Sequence, residues 1–460
     1  MPFNSFENYP MSWRPELDKD GGCLYRTLAG QLERDIAAGV LKPGTRLPPQ
    51  RELADFLDVN LSTVSKAFRL CAQNGLLSSR VGSGTYVAYD ALTSKRLLPA
   101  HRGIDIVDMG ATVPGASGSD MVMALLKEML GESGVDRLLG YHLPEEHIWQ
   151  KEVAVSLMAR CGHHTDRERI LFANGGQNAL VGVLAALFKR GETLAVDGHT
   201  FPGVKSAAGM LGIRLEPLPQ DDGGTDPHAL ELACRNKKIA GIYVISACHN
   251  PTTITMPQGR RRELAQVARQ YGCLVIEDGT YQPLAGDTTP VSVSDYAPES
   301  SIYIASLSKS VAPGLRMAYL SVPPQHKAAV SDALYTINAS VAPMMAELSA
   351  RIIASGRFEA ILENHIERVA LRNALVDRWL PNDRCLGGGT DIIRWLLLPA
   401  KFTGTAFERL ALSQGVRIYA AEKFTVGKTP PAHAVRLSIC APQDPEELGR
   451  GLEVIARLIG

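Results

Sequence analysis

At 460 residues the chain has room for two or three domains and a large core. Its 48 basic side chains balance 48 acidic ones, which excludes a polyelectrolyte, so any nucleic-acid surface has to be local. Eight cysteines are scattered without a C-x-x-C pair, Cys161 with His163 and His164 lacks a second ligand pair at zinc-site spacing, and no apolar run spans a membrane; the expectation is a metal-free, reduced, cytoplasmic protein without a leader.

The first pattern lies between residues 24 and 87. Leu24, Leu28, Leu32 and Ile36 fall on one face of a helix that stops near Gly39, and Lys42-Pro43-Gly44 makes a turn. A short helix is expected over 48–57 and a second over 63–72, capped by Asn60 or Ser62 and ended by Asn74-Gly75. Two short helices across a tight turn form a helix-turn-helix, whose second member can enter a major groove. Residues 76–80 and 85–87 then flank Val81-Gly82-Ser83-Gly84 as a hairpin. Lys42, Arg46, Arg51, Lys66, Arg69 and Arg80 stand against Glu52, Asp55 and Asp58, a local excess of 6 − 3 = +3 that suits phosphate contacts.

The run LPPQRELADFLDVNLSTVSKAFRLCAQNGLL with RVGSGTYV resembles the winged helix-turn-helix of the GntR family. The resemblance implies double-stranded DNA as partner, with Arg51, Ser62, Thr63 and Lys66 facing it and Gly82 and Gly84 letting the wing approach the backbone. Leu61 and Ser65 stand where this family often carries arginines, a departure that bears on which bases are read. Residues 89–105 lack periodicity and are expected to be a linker.

From residue 106 short apolar runs (170–172, 194–196, 242–245, 274–276, 302–304, 319–322) alternate with helical patterns over 177–189, 203–211, 227–234 and 258–271. Such β-α-β alternation predicts a largely parallel sheet covered by helices, with ligands at the carboxyl ends of the strands. The chemically pointed residues fall at those ends. Asn174-Gly175-Gly176-Gln177 closes a strand and opens a helix, which makes either an anion site or a tight turn. Lys309 follows the strand Ser301-Ile302-Tyr303-Ile304 into a polar turn, where a desolvated lysine can be neutral and so can combine with an aldehyde. Ser306 adds a hydroxyl, and Arg316 a planar fork of donors suited to a phosphate dianion. Amine, hydroxyl and guanidinium together describe a seat for pyridoxal 5′-phosphate.

Ser-x-x-Lys followed seven residues later by Arg, with Ala-Pro-Gly between, resembles the cofactor-lysine motif of fold-type I aminotransferases. His199-Thr200-Phe201-Pro202-Gly203, Cys248-His249-Asn250-Pro251-Thr252 and Glu277-Asp278-Gly279-Thr280-Tyr281 match further segments of that family in its order. The resemblance implies that Lys309 carries the cofactor, that Gly176, Gln177, Ser306, Ser308 and Arg316 hold its phosphate, and that Phe201 lies against its ring. It assigns Asn250 and Tyr281 to the phenolic oxygen and Asp278 to the pyridine nitrogen. Tyr141 would serve the neighbouring subunit's phosphate site, which implies a homodimer. Thr253 stands where the family has glycine, and Phe201 lacks the hydroxyl of the tyrosine that many relatives carry.

The carboxyl-terminal part reads as a small α+β domain: helical patterns over 325–334, 343–354 and 358–380, then strand 391–397, helix 406–414, strand 416–419 and helix 445–459. In 434–439, alternation places Val435, Leu437 and Ile439 on one face and Arg436 on the other, as for a surface arginine on an edge strand. By resemblance, Arg436 is instead the clamp for an amino acid's α-carboxylate. With the winged helix attached, the chain is similar to the MocR subfamily of GntR regulators. That similarity implies a winged helix-turn-helix (13–88), a linker (89–105) and an α/β fold-type I pyridoxal-phosphate-dependent transferase domain (106–460), with a large part over 106–325 and a small part over 326–460. It implies a DNA-binding regulator that senses an amino compound or the cofactor itself. The alternative is a true aminotransferase with an accessory DNA-binding domain, and a decayed domain that only dimerises is disfavoured by the intact Lys309, Asp278 and Arg316.

Overall fold

The computed structural model describes residues 11–17, 23–73, 76–80, 84–88, 106–114, 118–141, 148–285 and 290–460. The linker 89–105 and the wing-tip residue Gly82 lie outside them. The amino-terminal unit consists of α1 (Leu24–Ala37), α2 (Gln50–Leu57), α3 (Leu61–Gln73) and a hairpin of β1 (Leu77–Arg80) with β2 (Gly84–Val87), Leu77 lying opposite Val87. Its core gathers the four-spaced Leu28, Leu32 and Ile36 of α1 against Leu53, Leu57, Val64 and Phe68. Trp13 joins that core from ahead of α1, its Nε1 donating to Asp35 at 2.7 Å. α2 ends at Asp58, which turns the chain at φ 50°. Asn60 is the cap of α3: its Oδ1 accepts the Ser62 N–H at 3.0 Å, so the helix begins two residues before the expected start.

The next elements are β3 (Val107–Asp108), α4 (Ser119–Leu130), α5 (Ile148–Arg160), β4 (Ile170–Ala173), α6 (Gly176–Leu187), β5 (Thr193–Asp197), α7 (Pro202–Leu211) and β6 (Arg214–Leu218). A small hairpin of β7 (Gln220–Asp221) and β8 (Gly224–Thr225) precedes α8 (Pro227–Asn236), β9 (Ile239–Val244), α9 (Gln258–Tyr271), β10 (Leu274–Asp278), α10 (Val293–Tyr296), β11 (Ser301–Ser306) and β12 (Ala318–Ser321). Seven of these strands form one sheet in the order β4-β12-β11-β10-β9-β5-β6. Only β12 runs against its neighbours. The 11 residues between β11 and β12 are too few for a crossover helix, so the chain returns antiparallel. Edge strand β6 escaped the sequence reading because Arg214, Glu216 and Pro217 break its apolar run, features an edge tolerates.

The small part follows with α11 (Pro324–Asn338), α12 (Pro343–Ala354) and the 23-residue α13 (Arg357–Trp379). Then come β13 (Cys385–Leu386), β14 (Ile393–Leu397), α14 (Gly404–Ser413), β15 (Val416–Arg417), β16 (Tyr419–Ala420), β17 (Ala434–Ser438) and α15 (Pro445–Ile459). A four-stranded sheet runs β13-β14-β17-β16. The single strand expected over 416–419 is two: β16 pairs with β17, whereas β15 pairs in parallel with β3, the start of the domain. Strand β17 is interior rather than an edge and all five of its residues are buried, which removes the surface reading of Arg436. The core of this domain and that of the winged helix are separate clusters.

Candidate functional site

The carboxyl ends of β4, β5, β9, β10 and β11 and the amino end of the reversed β12 share one rim of the sheet, and the sequence-selected residues meet there. After β4, Gly175 turns at φ +86°, and a Cβ placed on it would lie 2.5 Å from Nη2 of Arg316. Arg316, itself at φ 48°, donates Nη2 to the Asn174 carbonyl at 3.0 Å. Ser306 and Ser308 join through their hydroxyls at 3.1 Å, and a Cβ on Gly176 would come within 3.6 Å of Ser306. These residues make a small cradle of hydroxyls, backbone amides at the start of α6 and one guanidinium, a donor set that fits a phosphate. Gln177 lies at its side and gives Nε2 to the Gly203 carbonyl at 3.0 Å.

Phe201 stands just before α7, in a segment tied to the small part by Thr200 N–H to the Phe424 carbonyl and Val426 N–H to the Gly198 carbonyl, both 2.9 Å. Two neighbouring carboxylates at the end of β10 divide sharply because successive strand residues face opposite ways. Glu277 is fully buried and saturated by Ser246 Oγ at 2.6 Å, Ser294 N and Oγ at 2.8 Å and Val293 N at 3.2 Å. Asp278 is half-buried at the rim, where Tyr243 Oη donates to Oδ2 at 2.8 Å, Thr280 Oγ1 to Oδ1 at 2.5 Å and Thr280 N to Oδ1 at 3.1 Å. Tyr243 and Thr280 were not found from the sequence. Thr280 carries a signal, an Asp followed two residues later by a hydroxyl in a turn, whereas Tyr243 lies on the next strand and carries none.

Lys309 donates Nζ to the carbonyl of Thr112. Burial foremost, then the nearby Arg436 and Arg316, push its amine down to about 8 from the ordinary 10.5, against the opposing pull of Asp278. Arg436 is 1% exposed, and burial lowers even its guanidinium to about 10. It lies 4.8 Å over the Phe424 ring and 5.5 Å from that of Tyr419, gives Nη1 to Asn250 Oδ1 at 2.8 Å and Nη2 to the Gly110 carbonyl, and leaves Nε buried without a hydrogen-bond partner. Asn250 completes the link by donating Nδ2 to Tyr281 Oη at 3.1 Å, and burial raises that phenol to about 12. An orphaned Nε on a buried guanidinium, a depressed lysine and a phosphate-like cradle fit pyridoxal phosphate bearing an amino acid better than they fit a filled protein core.

Tyr141 does not join this group: it is 90% exposed. His249, treated from sequence as a packing neighbour, is buried with Nε2 3.2 Å from Asp197. On the winged helix, Arg51, Ser62 and Lys66 are exposed and Thr63 is half-buried along α2 and α3. Gly84 sits at φ +110° with a position for Cβ 3.0 Å from Arg46 Nε, so a side chain there would meet the wing's own arginine. No cluster of His, Cys, Asp or Glu able to hold a metal ion occurs among the described residues, and no described helix is long and apolar enough to cross a membrane.

Comparison with known families bears on both halves. Residues 24–87 match the bacterial regulatory proteins of the gntR family, and residues 141–455 match aminotransferase class I and II. The chain is 48% identical over 459 residues, all of this chain and 99% of the other, to the uncharacterized HTH-type transcriptional regulator YdeF of Bacillus subtilis. It is 29% identical to the probable rhizopine catabolism regulatory protein MocR of Rhizobium meliloti over 67% of each chain. The chain belongs to the MocR-type GntR regulators. An archaeal alanine:glyoxylate aminotransferase superposes on this MocR-type regulator with a TM-score of 0.71 at 21% identity, covering 78% of this chain and 91% of that one. That likeness shows the fold of the larger domain, and with the match over 24–87 the chain is a GntR helix-turn-helix joined to a fold-type I aminotransferase domain. The MocR-type regulator is thus an HTH-type transcription regulator, and the reading as a plain aminotransferase is not favoured.

Proposed function

We propose that this chain is a pyridoxal-phosphate-dependent regulator that senses an amino compound, or the cofactor itself, and relays occupancy to double-stranded DNA. The observation that carries the reading is the convergence of Lys309 with Arg436, Arg316 and Asp278, where burial and the two guanidiniums push the amine down to about 8 against the opposing pull of Asp278. Here Lys309 offers its neutral amine to the cofactor, Gly176, Gln177, Ser306, Ser308 and Arg316 hold the phosphate, and Phe201 covers the ring. Asn250 and Tyr281 take the phenolic oxygen, Asp278 keeps the ring nitrogen protonated, and Arg436 clamps the effector's carboxylate. The bound cofactor supplies an electron-withdrawing ring. Arg51, Ser62, Thr63 and Lys66 face DNA, with Gly82 and Gly84 in the wing. The exposed Tyr141 is free to reach a partner's phosphate seat in a homodimer. Domain limits of 13–88, 89–105 and 106–460 and a cytoplasmic location belong to the same proposal.

Genomic DNA selection on the full-length, cofactor-loaded protein, with and without candidate amino compounds, tests this. The expected result is an enriched DNA whose affinity changes with one amino compound, while amino-group transfer stops after a single half-reaction. Sustained two-substrate turnover with DNA affinity unmoved by any amino compound would overturn it in favour of an enzyme.

A further inference from the structure

Residues 106–114 follow the expected linker in sequence, and two of their carbonyls reach Lys309 and Arg436. The root of this arm is well fastened. Val107 N–H donates to the Gly415 carbonyl at 2.9 Å, Met109 N–H to the Arg417 carbonyl at 2.8 Å, and Arg417 Nη1 pairs with Asp108 Oδ2 at 2.9 Å. The other oxygen of Asp108 accepts the Gly110 N–H at 2.9 Å and turns the chain inward. Past that turn, the arm's own carbonyls satisfy two cations of the site: Gly110 accepts from Arg436 Nη2 and Thr112 from Lys309 Nζ. The fit is close, since a Cβ on Gly110 would lie 2.8 Å from the Tyr419 ring. It is also incomplete, because Arg436 Nε and Thr112 Oγ1 are buried without partners.

A carboxylate gripping Arg436 in the usual two-pronged way takes Nε and Nη2 together, and Nη2 is the nitrogen the arm holds. A carboxylate adds its own negative charge and a second, parallel hydrogen bond to the guanidinium, neither of which a single neutral carbonyl supplies. We propose that residues 110–113 are an internal stand-in for the effector, an autoinhibitory segment whose carbonyls must be displaced from Arg436 and Lys309 before an amino acid can be held. Each key turns one lock: Lys309 gives up Thr112 when its amine condenses with the cofactor's aldehyde, with loss of water, and Arg436 gives up Gly110 to a carboxylate. The fastened root at 107–109 joins this stretch to residues 89–105 in sequence, and in this proposal displacing the stretch loosens that root and so reaches the DNA-binding end of the chain. Ligand and docked arm exclude each other, which is the unequal binding of two conformations that coupling requires. This inference rests on the functional reading above and names its regulation.

The test is hydrogen–deuterium exchange of residues 106–114 in the full-length protein, without cofactor, for wild type, Arg436→Gln and Gly110→Ala, alongside DNA affinity. Arg436→Gln removes the arm's main holding donor, and Gly110→Ala pushes the arm off Tyr419 while leaving every donor in place. The expected result is at least tenfold faster exchange at residues 110–113 in both variants, with DNA affinity moved at least threefold in the same direction. Exchange at wild-type rates in the variant that stays folded would overturn the proposal, and so would a loosened arm with DNA affinity unchanged. Adding pyridoxal phosphate to wild type should speed exchange near Thr112 before Gly110. Failure to take up pyridoxal phosphate at all would count against the functional reading, whereas the cofactor-free comparison still decides whether Arg436 holds the arm.

Discussion

The helix proposed to face DNA and the cleft proposed to hold the cofactor are built by opposite rules. In the winged helix, Ser62 and Lys66 project from α3 while Val64, Ala67 and Phe68 of the same helix are buried, so a single stretch of chain sets both the fold and the exposed face. In the cleft, Arg436 touches Gly110 and Asn250, and Lys309 touches Thr112, across as many as 326 residues of sequence. The first arrangement tolerates changes at Ser62 and Lys66, whose side chains are exposed, even though Ser65 between them is tied to Gln50 at 2.7 Å. In the second, each polar group is another's partner, and removing one leaves a second buried and unpaired at a cost of 1–3 kcal/mol or more.

The sharpest test of the contrast is Lys309→Ala. Covalent trapping of pyridoxal phosphate by borohydride should vanish while DNA binding by the winged helix survives; a variant that still traps the cofactor would move the site elsewhere. Next in size is Arg436→Gln, which is expected to weaken carboxylate binding by about 3 kcal/mol, read as a rise in the concentration of amino acid needed to perturb the cofactor's absorbance. The same variant has a pH signature. Lys309 sits at about 8 in the folded chain against 10.5 when free, so the unfolded chain binds the proton more readily and this group's contribution to stability rises with pH between those values. Reactivity follows the neutral amine, so cofactor uptake should climb through a midpoint near pH 8. Removing the Arg436 cation favours the protonated amine and should shift that midpoint upward; an unmoved midpoint would mean the two groups do not feel each other.

How far the sequence could be read follows the same divide. The helix starts, the wing and the strand ends were legible because caps, four-residue spacing and apolar runs are local signals. The cleft was legible only where residues carry side-chain chemistry at strand ends, as Asp278 and Lys309 do. Its environment was not. The resemblance set Asp278 against a ring nitrogen, but nothing in the order of residues tells that Glu277 beside it is the fully buried one, satisfied by hydroxyls and amides from 246 and 293–294. Arg436 alternates like a surface residue, and only the covering of β17 on both faces makes it interior. The arm's carbonyls at Gly110 and Thr112 had no chance of being found, because a backbone acceptor leaves no mark in the amino-acid order.

Smaller effects belong to the DNA side. Lys66→Ala or Arg51→Ala should weaken binding by ~1–3 kcal/mol if the lost contact is to a base, or reduce the salt slope by about one if it is to phosphate, with cofactor binding untouched. No change in either quantity would take that helix off the DNA.

The smallest effect separates folding from contact within one turn of α3. Asn60 caps the helix through Ser62 N–H, whereas the Ser62 side chain is exposed. Asn60→Ala should cost ~1 kcal/mol of stability, and Asn60→Ser should recover most of it. The winged helix and the large domain have separate cores, so calorimetry should show the loss only in the transition assigned to residues 24–88. Ser62→Ala should do the reverse, leaving that transition in place while weakening DNA binding. If both substitutions moved both readouts equally, the exposed face and the cap would be one device, and the independence claimed for the winged helix would fail.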